Sequence, residues 1–168
     1  HLNPSLAYAL IENSRAGRFN IEKAKKIGVP EGPLWSKLQS GQSVKLPDER
    51  IIKPETILGA PRPGRKIVYT GDTGPSEKIA KLAEFADLLI HEATFEDEMN
   101  ERAIEDGHST PSMAAKIAKV ASVKHLVLTH ISARYKNADV LLQQAKKTFV
   151  NTNLAEDFLR LELPLNED

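Results

Sequence analysis

The sequence predicts an α/β fold, a layered sheet flanked by helices, and three observations predict it. From residue 66 onward, short apolar runs alternate with segments of helical period in the order βαβαβαβ. The runs are apolar on both faces, as strands covered from two sides are. They end in polar residues able to carry chemistry, at the strand ends where layered α/β folds gather their ligands. The 168 residues suit one domain, burying roughly two thirds of the surface the unfolded chain exposes.

Each element has its own signal. Residues 1–66 are dense in breakers, and "RAGRFNIEKAKKIGVPEGPLWSKLQSGQSVKL" offers short helices near 21–27 and 33–40, punctuated by Gly28, Pro30, Gly32 and Pro33. "APRPGRK" (60–66) reads as a loop, so this stretch is expected to be an arm rather than a core. "KIVYTGDT" (66–73) is a strand ending in a glycine turn. "SEKIAKLAEFA" (76–86) is a helix with Ile79, Leu82, Ala83 and Ala86 on one face. "DLLIHEAT" (87–94) is a second strand, and "STPSMAAKIAKVA" (109–121) a helix with Pro111 in its first turn. "HLVLTHIS" (125–132) is a third strand, "ADVLLQQAKKTF" (138–149) a third helix and "FLRLELPL" (158–165) a last strand.

Hydrophobic residues make up 40% and charged residues 27%, ordinary for a soluble globular protein. No apolar run approaches the ~20 residues of a membrane helix, so no membrane partner is expected. The absence of cysteine excludes disulfides and thiolate ligands and is compatible with a cytoplasmic home; any metal must be held by nitrogen and oxygen. The net charge of zero hides an asymmetry. Residues 1–66 carry 12 Lys and Arg against 6 Asp and Glu, and the remainder carries 11 against 17. A basic half beside an acidic half suits a face for a polyanion and a face for chemistry, although scattered solvated side chains would give the same balance. The chain opens on His1 rather than methionine, and we expect a piece of something larger.

The strand ends carry the chemistry. The first ends at Asp72, the second at His91 and Glu92, and the third at His130, while "DGHST" (106–110) presents His108 before a helix. Each also has a plainer reading: Asp72 as a turn residue, His108 as a helix cap, His130 as a core histidine, Arg134 as a surface ion-pair partner. His91 and Glu92 are strand neighbours, so at most one is expected to face a shared centre. Four polar endings in one small domain favour a common site. Histidine with aspartate points to zinc or a similar borderline metal, with Asp72 the candidate to bridge two ions and His130 a terminal ligand. These donors are too few for two ions.

"GDT" (71–73), "HEAT" (91–94), "GHST" (107–110) and "LTHISARY" (128–135), in this order, resemble the C-terminal half of the ribonuclease Z family, tRNA 3′-processing endoribonucleases of the metallo-β-lactamase fold. The resemblance covers essentially the whole chain, including "GVPEGP" (28–33), similar to the glycine-proline motif of the family's protruding arm. It implies the C-terminal half of an αββα sandwich. Residues 1–11 would be a strand segment entering the core, 12–60 the basic arm and 61–168 the second half of the catalytic domain. It implies Asp72 as the bridging aspartate, His130 as a terminal ligand and His1 as a further ligand, although "AYA" (7–9) departs from the family's "GYR"-like segment. His108 would protonate the leaving group with Glu92 and His91 in support, and Ser132 and Arg134 would grip phosphate. Arg15, Arg18, Lys23, Lys25, Lys26 and Lys37 of the arm would hold the tRNA body.

The family's His-x-His-x-Asp-His signature is not in this sequence. The resemblance therefore implies a zinc-dependent endoribonuclease removing the 3′ trailer of precursor tRNA by metal-activated hydroxide attack, with two Zn2+ per complete site. This chain would be a fragment inactive alone, partnered by its missing N-terminal half and forming a homodimer when complete. Two other readings stand beside it: a metallo-β-lactamase-fold phosphodiesterase for small diesters, and a non-catalytic RNA-binding fragment. Deleting residues 12–60 separates the first two, because a small diester needs no basic arm.

Overall fold

The computed structural model describes residues 4–165, so His1 and its expected role as a ligand lie outside the described residues. Two compact units divide the chain. One holds the residues up to Ile11 together with Arg65–Pro164, and the other holds Glu12–Gly64.

The chain enters the first unit through β1 (Tyr8–Ile11), whose four side chains are exposed. Among the described residues β1 is an edge strand, antiparallel to the strand at 66–69.

The second unit begins with helix α1 (Ile21–Ile27), capped by the Asn20 side chain accepting from the Lys23 N–H at 2.8 Å and closed by Gly28 at φ 85. Helix α2 (Pro33–Gln39) opens on proline. A two-residue ladder, β2 (Val44–Lys45) with β3 (Ile51–Ile52), and the single turn α3 (Pro54–Ile57) complete it. Ala24, Val29, Leu38, Val44 and Ile57 are buried together, with Phe19 and Trp35 packed against them at 5.1 Å between ring centroids. The arm thus has a small core of its own, which its breaker-rich sequence conceals. Gly17 is required there, because an added Cβ would fall 2.0 Å from the Gly59 carbonyl oxygen.

Back in the first unit, β4 (Lys66–Tyr69), α4 (Glu77–Ala83), β5 (Leu88–Glu92), α5 (Asn100–Asp106), α6 (Pro111–Val120), β6 (Leu126–Thr129), α7 (Asp139–Lys146) and β7 (Thr152–Leu154) follow in turn. The sheet order is β1-β4-β5-β6-β7, parallel throughout except for β1. Val68, Leu89, Leu126 and Leu128 share one face by register and are buried against Ala114, Ala115, Ala118 and other small residues of the helices. Alanine on α6 lets the helix lie close to the sheet.

The opposite face is different. Tyr8, Leu10 and Tyr69, which register places together on it, are 61%, 65% and 44% exposed. No helix among the described residues is long and apolar enough to cross a membrane.

The last strand departs from expectation. It is Thr152–Leu154, parallel to β6, and not 158–165. The strand follows α7 within a few residues, as a short βαβ crossover requires. "FLRLELPL" misleads because its apolar residues alternate without finding a neighbour strand. Phe158 is 97% exposed at φ 67. The 3₁₀ turn Asp97–Met99 and α5 between β5 and α6 carried no apolar period strong enough to be foreseen.

Candidate metal and proton-transfer site

The parallel strands deliver their polar ends to one rim. After β4 the chain turns at Gly71, whose φ of 63 and whose contacts (an added Cβ would lie 2.9 Å from Ser5 Oγ) exclude a side chain. Asp72 follows directly. After β6 the backbone turns left-handed at His130, φ 54, a conformation uncommon outside glycine and found at functional sites. His108 is placed by Gly107, the left-handed residue closing α5.

Asp72, His108 and His130 converge, each offering one donor atom within 4.8 Å of the others. The two imidazoles stack, 5.4 Å between centroids at 24°. Asp72 Oδ1 lies 3.5 Å from His130 Nδ1. A carboxylate and two imidazoles form a nitrogen-oxygen donor set suited to zinc and similar ions. The donor chemistry therefore fits the metal the fold implies, while three donors leave a tetrahedral ion one short.

Beneath the trio sits Glu92, 1% exposed. Its Oε1 accepts from the Thr73 N–H at 2.9 Å and from His108 Nδ1 at 2.8 Å. Its Oε2 accepts from the Thr94 N–H at 3.1 Å, the Thr94 hydroxyl at 2.9 Å and the Ser109 N–H at 3.1 Å. Every neighbour offers hydrogen, the match of a carboxylate. With Nδ1 of His108 turned to Glu92, its Nε2 is the nitrogen left to face the other groups of the site. A carboxylate behind imidazole is the arrangement that orients a general acid or steadies a metal ligand.

His91 does not join this cluster. The strand alternation that sends Glu92 to the site sends His91 to the helix-covered face with Leu89 and Leu128, where it is fully buried. Its Nδ1–H donates to the Glu92 carbonyl at 2.7 Å, and its Nε2 has no hydrogen-bond partner among the described residues. Burial holds this imidazole below its ordinary value, partly offset by the Glu92 carbonyl and carboxylate. The supporting role expected of His91 is thereby reduced to one contact with the backbone of Glu92.

Arg134 and Ser132 stand on the loop after His130. The guanidinium lies 4.9 Å over the Phe95 ring, with Nε donating to Ser132 Oγ at 3.2 Å and Nη1 near Met99 Sδ. Phe95 in turn meets His108 edge-on at 5.9 Å. In the arm, Arg18, Lys23, Lys25, Lys26 and Lys37 are exposed, whereas Arg15 is partly buried and its backbone bridges Arg62.

The sequence reading missed Thr94 and the amides of Thr73 and Ser109. The one signal for Thr94 was a hydroxyl residue just past the end of a strand that is otherwise apolar. Backbone donors carry no signal at all.

A beta-lactamase superfamily domain matches residues 55–131. The chain is 51% identical to a ribonuclease Z of Archaeoglobus fulgidus over 99% of its own length and 55% of that protein's. It is 53% identical to a ribonuclease Z of Methanosarcina acetivorans over 98% of its length and 54% of that protein's. The chain thus spans about half the length of the curated relatives it matches. Among solved structures, the metallo-beta-lactamase fold protein YhfI from Bacillus subtilis matches with a TM-score of 0.51 and 29% identity, over 68% of this chain and 46% of that one.

Proposed function

From the premise that the chain belongs to the ribonuclease Z family of the metallo-β-lactamase superfamily, we propose that it supplies the C-terminal half of a zinc-dependent endoribonuclease that trims the 3′ trailer of precursor tRNA. One observation carries the reading. Asp72, His108 and His130 converge over a buried carboxylate, in a chain about half identical to those relatives over nearly its full length.

Asp72 and His130 would hold the metal, and the remaining ligands would come from the other half of the protein. Zinc, when bound, supplies Lewis-acid activation of water and neutralises phosphate charge. The rest falls to side chains. Arg134, braced on Phe95, and Ser132 would bind the phosphate at the scissile bond. His108, hydrogen-bonded through Nδ1 to Glu92, would in its protonated form donate from Nε2 to the departing 3′ oxygen. The exposed cations of the arm would bind the tRNA body through phosphates, recognising shape more than sequence. The open apolar face bearing Tyr8, Leu10 and Tyr69 would be covered by the other half, since a patch of that kind otherwise seeks a partner.

The test uses the polypeptide with both halves present. We expect wild type to retain zinc and cleave precursor tRNA at the mature 3′ end, and Asp72→Ala and His130→Ala to lose both properties. The 168-residue chain alone, incubated with precursor tRNA and zinc, should not cleave. Cleavage by the isolated chain, or unaltered zinc content in both variants, would overturn the proposal.

A further inference from the structure

We propose that the Thr94 hydroxyl is a positioning residue that fixes the hydrogen of His130 on Nδ1 and so leaves Nε2 as the nitrogen presented to the metal. The inference deepens the metal-centre reading above and rests on it.

Thr94 is 7% exposed and stands two residues beyond Glu92. Its Oγ1 lies 2.9 Å from Glu92 Oε2, 2.8 Å from His130 Nδ1 and 3.2 Å from His108 Nδ1. A hydroxyl has one hydrogen to give and two lone pairs to receive. Glu92 Oε2 already accepts from two backbone N–H groups, so it meets Thr94 as an acceptor too, and the hydroxyl hydrogen goes to Glu92. Oγ1 can then only accept from the histidines. His130 Nδ1 must therefore carry hydrogen. Were that nitrogen bare, either its short contact or the one to Glu92 would hold two acceptors and no hydrogen. The other neighbour of His130 Nδ1, Asp72 Oδ1 at 3.5 Å, is an acceptor as well. His108 Nδ1 points its hydrogen mainly at Glu92 Oε1, 2.8 Å away, and only secondarily at Thr94.

One hydroxyl thus links the carboxylate to both imidazoles; it sets the polarity of His130, while Glu92 sets that of His108. Free neutral histidine prefers its hydrogen on Nε2, the opposite arrangement, so a specific partner is needed to hold the other tautomer. Ligands oriented in this way typically lose about 10- to 100-fold in metal affinity when the orienting group is removed.

Two measurements test the proposal. Long-range proton–nitrogen correlation spectra of the chain at pH 8 read the tautomer of His130 directly. Competition of the complete polypeptide with a chromogenic chelator, using zinc alone as probe, reads affinity. The Nδ1–H form is expected in wild type and in Thr94→Ser, which keeps the hydroxyl. Thr94→Val, which keeps the shape, should shift His130 toward Nε2–H and weaken zinc about 10- to 100-fold. An Nε2–H tautomer in wild type overturns the proposal even if no variant folds. So does a valine variant that matches wild type in both readouts. A wild-type Nδ1–H signal that Thr94→Val abolishes, in a complete protein that retains no zinc, upholds the hydroxyl's hold on the ring and overturns the metal-centre reading instead.

Discussion

Replacing Glu92 by glutamine changes one atom in a side chain that accepts five hydrogen bonds with 1% of its surface exposed. Glutamine keeps one acceptor oxygen and turns the other into a donor. If the amide nitrogen takes the place of Oε2, the N–H groups of Thr94 and Ser109 both face a donor. If it takes the place of Oε1, only the Thr73 N–H does so, because a neutral His108 can move its hydrogen to Nε2 and accept at Nδ1. The second orientation is the cheaper. It leaves one buried donor unpaired, which costs about 1–3 kcal/mol. Loss of charge assistance in the surviving bonds adds roughly 1 kcal/mol. The expected destabilisation is therefore about 2–4 kcal/mol, a large part of the stability of a domain this size. Urea unfolding followed by circular dichroism would report it as a midpoint lowered by about 1–2 M. Nitrogen chemical shifts should at the same time show the His108 hydrogen transferred to Nε2. A midpoint within about 0.3 M of wild type, with His108 unchanged, would mean that Glu92 is not the acceptor hub described.

Three further outcomes are expected. In the complete protein, His108→Ala should lower kcat by about 10²–10⁴-fold while leaving KM for precursor tRNA within a fewfold; an equal loss in a binding assay would reassign His108 to substrate contact. Because burial depresses the His91 imidazole below its unfolded value of 6.5, the stability it contributes is complete above that pH and falls as pH drops from there toward the folded value. His91→Leu should flatten that part of the stability profile between pH 7 and 5, and parallel profiles for the two proteins would refute the assignment. Neutralising Lys23, Lys25, Lys26 and Lys37 together should weaken tRNA binding and reduce the slope of log affinity against log salt by up to about 3–4, whereas an unchanged slope would remove the arm from the interface.

The sequence made much of the architecture legible, and for physical reasons. The strands at 88–92 and 126–129 are short apolar runs buried on both faces, and the one at 66–69 is an apolar run buried on the Val68 face while Tyr69 stays 44% exposed on the other. The helices at 77–83, 111–120 and 139–146 have apolar periods, and Ser76 and Thr110 cap the first two. The convergence of Asp72, His108 and His130 could be anticipated because parallel strands put their carboxyl ends on one rim. What escaped depends on partners distant in sequence. Leu159 and Leu161 look no less strand-like than Thr152–Leu154, and only pairing with β6 decides between them. Glu92 and His91 read as equals in "HEAT", yet alternation sends one to the site and buries the other among helices. The Thr73 and Ser109 amides that hold Glu92 have no letter in the sequence, and Thr94 has one that means little until its three neighbours are placed around it.

The left-handed turn at His130 restricts how this centre can be rebuilt. Aspartate and asparagine accept such a backbone at least as readily as histidine, whereas threonine, valine and isoleucine pack their branched side chains against it. If His130 holds the proposed metal, redesign toward harder cations through His130→Asp can therefore keep the loop in place, with the oxygen donor arriving from the same turn. A branched replacement would move the loop itself, carrying Ser132 and Arg134 with it. At this position the choice of side chain and the course of the chain are one decision.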